Sequence, residues 1–223
     1  MYKAFLFDLD GTLTESGEGI IRSVQYALIR MGRPCPPPEA VRCFIGPPLL
    51  SQFMSFAGMS EEEAGEAVRL YRERFGVIGL WENRLYPGIE SLLQRLSRTG
   101  VRLAVTSSKP DPYVQRICAH FGLSVFFDPI VGASMDEKKA GKAIVVGETL
   151  RRLGLEQDPE SALMIGDTAH DVLGARACGV PCAAVSYGYG NETELLAARP
   201  RYFVHTVSEL SDLLARLAEG RES

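Results

Sequence analysis

No apolar run in the 223-residue chain approaches the roughly 18 residues a helix needs to cross a bilayer, so no helical membrane span is expected. The start, Met1-Tyr2-Lys3 and then Ala4 to Phe7, lacks the longer apolar core and small-residue cleavage site of a secretory signal, which makes the cytoplasm the expected address. Cysteine is sparse. Cys35, Cys43, Cys118, Cys178 and Cys182 are odd in number and contain no CxxC pair, which excludes a disulfide framework and a zinc knuckle. They are expected to be reduced and mostly buried as small hydrophobes. Neither sign of charge dominates: 24 Lys+Arg face 28 Asp+Glu for a net charge of -4, and no block of like charge occurs. That balance argues against a nucleic acid polymer as partner and against a disordered chain. Internal repeats and low-complexity tracts are absent too, which excludes a solenoid. Lysine is rare, five residues against nineteen arginines, and none falls between Thr14 and Leu85.

What is present is an ordinary globular balance, 46% hydrophobic and 23% charged, in a length that suits one large domain or one domain carrying an insert. Short apolar runs at 4–7, 101–105, 129–131, 162–165, 182–185 and 202–204 predict strands. Helical periodicity predicts helices at 89–99, 111–121, 142–153, 169–178 and 207–218, the last opened by a Thr206/Glu209 capping box. Alternation of this kind predicts an α/β fold with a Rossmann-like, doubly wound parallel sheet. From Thr14 to about Leu85 no strand is expected. Helical runs at 19–31, 49–56 and 61–75, with a Ser60/Glu63 capping box and breaks at 34–38 and 46–48, predict an all-α insert. The expected division is a core of residues 1–13 and 86–223 and a helical cap of 14–85. The cap follows the first strand, so it overhangs the strand ends where open α/β sheets bind ligands.

Four stretches carry residues suited to chemistry. Asp8-Leu9-Asp10-Gly11 follows a strand. Carboxylates two apart normally point to opposite faces, but a chain turning at glycine can aim both at one site. Asp8 could then act as a nucleophile and Asp10 as a proton donor and acceptor; an Asx-rich turn is the plainer alternative. Gly166-Asp167-Thr168-Ala169-His170-Asp171 runs from a strand into a helix. Its two acids either serve the helix start or join Asp8 in an all-oxygen site suited to Mg²⁺. Mg²⁺ prefers oxygen, so His170 is expected to be a surface residue. Thr106-Ser107-Ser108-Lys109 ends another strand in hydroxyls, a weak sign of a phosphate cradle or simply an N-cap. Lys142 opens a helix and can hold a phosphate as a point charge, whereas Lys138 and Lys139 are expected in a solvated loop.

Taken in chain order at strand ends, these stretches resemble the haloacid dehalogenase superfamily. DLDGTL matches its first motif, Thr106 its second, Lys142 its third, and Gly166-Asp167 with Asp171 its fourth. The supporting stretches (14–20, 44–48, 132–136 and 187–190) look like those of the phosphoglycolate phosphatase and 5'-nucleotidase-like members. The resemblance implies a phosphomonoesterase using Mg²⁺. Asp8, Asp10 and Lys142 would be catalytic, and Asp8, Asp10 (through its carbonyl) and Asp167 would be metal ligands. Asp171 would act through water, and Thr106, Ser107 and Lys142 would bind the phosphoryl oxygens. Substrate selection would fall to cap residues Glu15, Arg22, Ile45 and Gly46, each of which has an ordinary structural alternative. Tyr187 and Tyr189 would line the entrance, pack under the cap or cover the sheet edge. The expected partner is a small phosphorylated metabolite, and the expected state a monomer or weak dimer. Dehalogenases need no acid at the Asp10 position, and phosphonate hydrolysis uses a cap lysine that is absent here. A phosphoryl-transferring mutase, a role in protein tyrosine phosphorylation and an idle phospho-ligand module stay open.

Overall fold

The computed structural model describes residues 1–136 and 141–221, so Lys138 and Lys139 lie outside the described residues. The strands are β1 (Ala4–Phe7), β2 (Thr14–Glu15), β3 (Arg84–Leu85), β4 (Arg102–Pro110), β5 (Ile130–Ala133), β6 (Ala162–Gly166), β7 (Cys182–Val185) and β8 (Tyr202–Val204). The helices are α1 (Gly17–Arg30), α2 (Leu49–Ala57), α3 (Glu61–Arg74), α4 (Ile89–Leu96), α5 (Asp111–His120), α6 (Lys142–Leu153), α7 (Ala169–Ala177), α8 (Glu192–Ala197) and α9 (Val207–Ala218).

Six strands form one parallel sheet in the order β5-β4-β1-β6-β7-β8. β1 reads Ala-Phe-Leu-Phe and is buried throughout, as a central parallel strand covered on both faces must be. Phe5 and Phe7 enter the core on one side of the sheet; Ala4 and Leu6 enter the one on the other. The order reverses at β1, with β4 on one side and β6 on the other. The crevice at their carboxyl ends is therefore the topological switch point of the sheet.

Between Thr14 and Leu85 the chain is helical, with a 3₁₀ segment at Pro38–Phe44 and a single π turn at Phe75–Gly79. The expectation of no strand there is corrected: β2 and β3 pair antiparallel, Thr14 opposite Leu85 and Glu15 opposite Arg84. These two-residue strands are the two crossings between sheet and helices, too short for any periodicity to register. Ser60 and Glu63 form the full capping box of α3. At α9 the box is only half made: Thr206 caps Glu209, whose carboxylate accepts from the His205 amide instead. Helix α8 escaped periodicity because it is six residues long. Cysteine burial is also corrected. Cys118 and Cys182 are buried and Cys178 half-buried, but Cys35 and Cys43 sit exposed on the polar rim of the helical layer.

Glu82, just before the second crossing, takes a bidentate contact from Arg74 at 2.8 and 2.9 Å and a third bond from Arg22 at 2.8 Å. One carboxylate thus ties α1 and α3 to the crossing, with Arg74 and Glu82 mostly shielded from water. Replacing Glu82→Ala leaves Arg74 only its bond to the Ser23 hydroxyl and is expected to cost about 1 kcal/mol, a fall in Tm of roughly 2–4 °C for a chain of this size, read by differential scanning calorimetry.

Candidate active site

The site is assembled from the carboxyl ends of β1, β4 and β6 and the first turns of α6 and α7. β1 delivers Asp8, after which the chain turns through Gly11 at φ +87°, a left-handed conformation that favours glycine. A side chain at Gly11 would also stand 2.0 Å from Asp167 Oδ2, so this turn packs flush against the β6 carboxylate. As a result Asp8 and Asp10 line the same cleft despite their spacing.

Lys142 reaches in from the first residue of α6. Its Nζ lies 2.6 Å from Asp8 Oδ1 and 2.7 Å from Asp171 Oδ1, and donates to the Thr106 carbonyl at 3.1 Å. Asp171 has two tasks. Its Oδ2 accepts from the Thr168 amide and hydroxyl, capping α7, while its Oδ1 holds Lys142. The helix-start reading and the site reading of Asp171 thus apply together. Asp167, fully buried, accepts from the Tyr189 amide at 2.7 Å and from the Thr12 hydroxyl at 3.4 Å.

Electrostatics here are unbalanced. Burial, only partly offset by Lys142, pushes the Asp8 carboxyl up to about 7. Burial and then the charges of Asp171 and Asp8 hold the Asp167 carboxyl well above the usual carboxylate range. For Lys142 burial opposes the charge, yet Asp171 and Asp8 outweigh it and keep the ammonium above its ordinary value. Asp8, Asp167 and Asp171 each offer an oxygen within 4.8 Å of the others, and all three are buried. Asp10 Oδ1 is buried without a hydrogen-bond partner. Crowded oxygen donors short of positive charge fit a hard divalent cation. Asp171 is the poorest of the three, since one oxygen is paired with Lys142 and the other is held by two donors at the start of α7, whereas Asp167 is held only by one backbone amide and a long hydroxyl bond.

Lys109 belongs to this site and is not among the residues expected there. Its Nζ sits 2.6 Å from Asp10 Oδ2, almost wholly buried, and 4.6 Å from the centroid of Phe75 on the helical layer. The scarcity of lysine and its place beside the Ser/Thr run were the available signals. β4 also extends to Pro110, so Thr106, Ser107 and Ser108 are strand residues with a shifted register rather than a loop. Ser107 and Ser108 line the cleft. Thr106 is fully buried, with its hydroxyl on Thr149 Oγ1 at 3.1 Å, so it touches the site through its carbonyl instead.

The facing wall of the cleft comes from the helical layer: Phe44, Tyr71, Arg72 and Phe75, with Gly46, Pro47 and Pro48 beside them. Of the four residues expected to select substrate, only Gly46 lines it. Ile45 is buried in the core, because the end of the 3₁₀ segment turns its side chain inward. Glu15 and Arg22 stand on the opposite side of the crossings, neutralised by Arg84 at 2.6 Å and by Glu18 and Glu82 respectively. Tyr187 and Tyr189 do not line the cleft either: Tyr187 donates to the Thr12 carbonyl and packs edge-on against Tyr86. His170 is exposed at the rim, outside the carboxylate cluster.

Residues 5–185 match the family model described as haloacid dehalogenase-like hydrolase. A 5'-nucleotidase of Pseudomonas aeruginosa is 45% identical over 213 residues, covering 96% of this chain and 96% of that protein. Tyrosine-protein kinase PtkA of Mycobacterium tuberculosis is 38% identical, covering 94% of this chain and 71% of that protein. The crystal structure of a predicted phosphatase from Clostridium acetobutylicum superposes with a TM-score of 0.92 at 40% identity, covering 96% of this chain and 98% of that one.

Because the Asp8 and Asp167 shifts are upward, the metal-free fold keeps protons that the unfolded chain has already lost. The stabilising contribution of Asp8 is complete below the ordinary carboxylate value of 3.8 and is lost as pH rises through about 7, and that of Asp167, also held upward, is lost in the same direction as pH rises. In EDTA, Tm is expected to fall by about 5 °C between pH 5 and pH 8, and Asp8→Asn to remove much of that fall by taking out one of the two groups. A flat or rising melting profile over that window would contradict the assignment.

Proposed function

The chain belongs to the haloacid dehalogenase-like hydrolases, and from that premise we propose that it is a metal-assisted phosphomonoesterase that acts on a small phosphorylated metabolite through an aspartyl-phosphate on Asp8. The observation that carries this reading is Asp8 itself: buried at the cleft floor, hydrogen-bonded to Lys142, and one of three converging carboxylates. Asp8 and Asp167, with the backbone carbonyl of Asp10, would hold Mg²⁺, and Asp171 would act through water and through Lys142. When bound, Mg²⁺ supplies charge neutralisation for the nucleophile and for the phosphoryl oxygens.

One carboxylate oxygen of Asp8 attacks phosphorus as the ester bond breaks. Asp10 gives its proton to the departing alkoxide and then takes one from the water that cleaves the acyl phosphate, restoring both carboxyl groups. Lys142 and the Ser107 backbone hold the phosphoryl oxygens, while the Thr106 carbonyl keeps Lys142 aimed. Residues 14–85 act as a cap over a core of 1–13 and 86–223, and exclude water from this chemistry. All five cysteines are unpaired, two of them exposed, which supports a reducing, cytoplasmic setting.

For the leaving group we favour a nucleoside. Phe44, Tyr71, Phe75 and Tyr113 make the far wall aromatic, a surface suited to a base and sugar, and the 5'-nucleotidase likeness spans nearly the whole chain. Lys109 supports a second reading. A cation beside Asp10 would suit a short carboxylate-bearing ester such as phosphoglycolate, and a phosphoglycolate phosphatase of Pseudomonas aeruginosa is 31% identical over 222 residues.

Phosphate release measured with Mg²⁺ across nucleoside 5'-monophosphates, phosphoglycolate, sugar phosphates and phosphotyrosine tests both. We expect kcat/KM for the best nucleotide to exceed that for phosphoglycolate by at least about tenfold, and Asp8→Asn to lose at least about 10³-fold. Phosphoglycolate ranking first would favour the second reading, and Lys109→Met should then raise its KM more than that of any nucleotide. No release from any ester would reject the phosphomonoesterase altogether.

A further inference from the structure

Helix α1 starts without the cap its sequence offers. Ser16 occupies the N-cap position, but its side chain makes no cap bond, and its Oγ is buried without a partner. The first amide of the helix, that of Gly17, donates instead to the hydroxyl of Tyr189 at 2.7 Å, across 172 positions of sequence. The missing side chain at Gly17 makes the approach possible, since a Cβ there would lie 2.9 Å from the Tyr189 ring. Arg42, on the 3₁₀ segment that leads to Gly46, lies over the ring at 5.8 Å. Tyr189 therefore touches the helical layer at two places, the start of α1 and the 3₁₀ segment. At its other end its backbone amide is the 2.7 Å donor to Asp167 Oδ2.

We infer that Tyr189 is a positioning residue that links the seating of the cap to the Asp167 carboxylate, so that cation binding at Asp167 and closure at Gly17 favour each other. The inference rests on the proposed role of Asp167 as a cation ligand. A residue bonded at one end to a ligand carboxylate and at the other to a helix's first amide cannot shift at one end without disturbing the other. By linkage, whatever fixes one end raises the occupancy of the bond at the other. Neither crossing strand could carry the signal alone, because each is two residues long.

Hydrogen–deuterium exchange of the segment containing the Gly17 amide, with and without Mg²⁺, reads the link directly, and calorimetric titration reads Mg²⁺ binding independently of turnover. In the wild type Mg²⁺ is expected to slow exchange roughly fivefold, the scale of one hydrogen bond. Tyr189→Phe should still bind Mg²⁺ but lose that slowing, and so should Gly17→Ala, which breaks the bond from the other side. Tyr187→Phe, which removes only the bond to the Thr12 carbonyl, should keep it. A purely structural Tyr189 would leave the ratio with and without Mg²⁺ intact in Tyr189→Phe, and that result overturns the link. So does a wild type that binds Mg²⁺ without any slowing. A wild type that binds no Mg²⁺ at all rejects the metal role of Asp167 and the link with it.

Discussion

Four buried carboxylates, Asp8, Asp10, Asp167 and Asp171, against two buried ammoniums, Lys109 and Lys142, are the constraint on which the molecule turns. Lys142 offers a single charge to Asp8 and Asp171 at 2.6 and 2.7 Å, and Asp167 receives only backbone and hydroxyl donors. A set of acids out of water with too little positive charge is costly to keep folded. The cost is met by the most rigid part of the chain, the central strand and its two parallel neighbours, which hold the groups at strand ends where packing leaves no freedom to splay apart. Local stability given up for a site short of positive charge is the pattern expected where a cation is the counterpart.

Around that centre the labour divides between two layers. The sheet and its helices supply the carboxylates and lysines of the cleft floor, while the helical insert supplies most of its apolar wall. The layers share one apolar cluster, and specific polar contacts cross between them. Lys109 stands with its ammonium on Asp10 and near the face of Phe75, so one core side chain touches both the cleft floor and the helical layer. Arg72 donates to the Met135 carbonyl across the mouth of the cleft. With only two short crossings to follow, such contacts decide how the layers meet.

Much of this was legible in the sequence because the relevant signals are local. A strand that is apolar at every position and stops at Asp8 announces a buried parallel strand with acids at its carboxyl end. Glycine at position 11 announces the turn, and Lys142 at a helix start stands out in a lysine-poor chain. What escaped depends on distance across the fold. The β2–β3 pairing is set by the return of the chain 70 residues later. The burial of Thr106 follows from Thr149 on α6. Glu15 and Arg22 looked available for substrate because their charge partners, Arg84 and Glu82, come from the far end of the insert. Lys109 is of the same kind: what makes it a site residue is Asp10, 99 positions away.

The cleft also constrains what can enter. Its floor is polar and charged, suited to a dianionic phosphoryl group, and its far wall is aromatic and proline-rich, suited to a flat or cyclic leaving group. Lys109 lies between these halves, already paired with Asp10. An anion on the leaving group would compete with Asp10 for that ammonium, whereas a neutral ring would leave the pair intact and pack on Phe75 and Tyr113. The geometry thus makes the second charge of a substrate a cost unless it replaces the Asp10 contact. Under the proposed function, substrate charge more than size would therefore separate the two classes of ester considered.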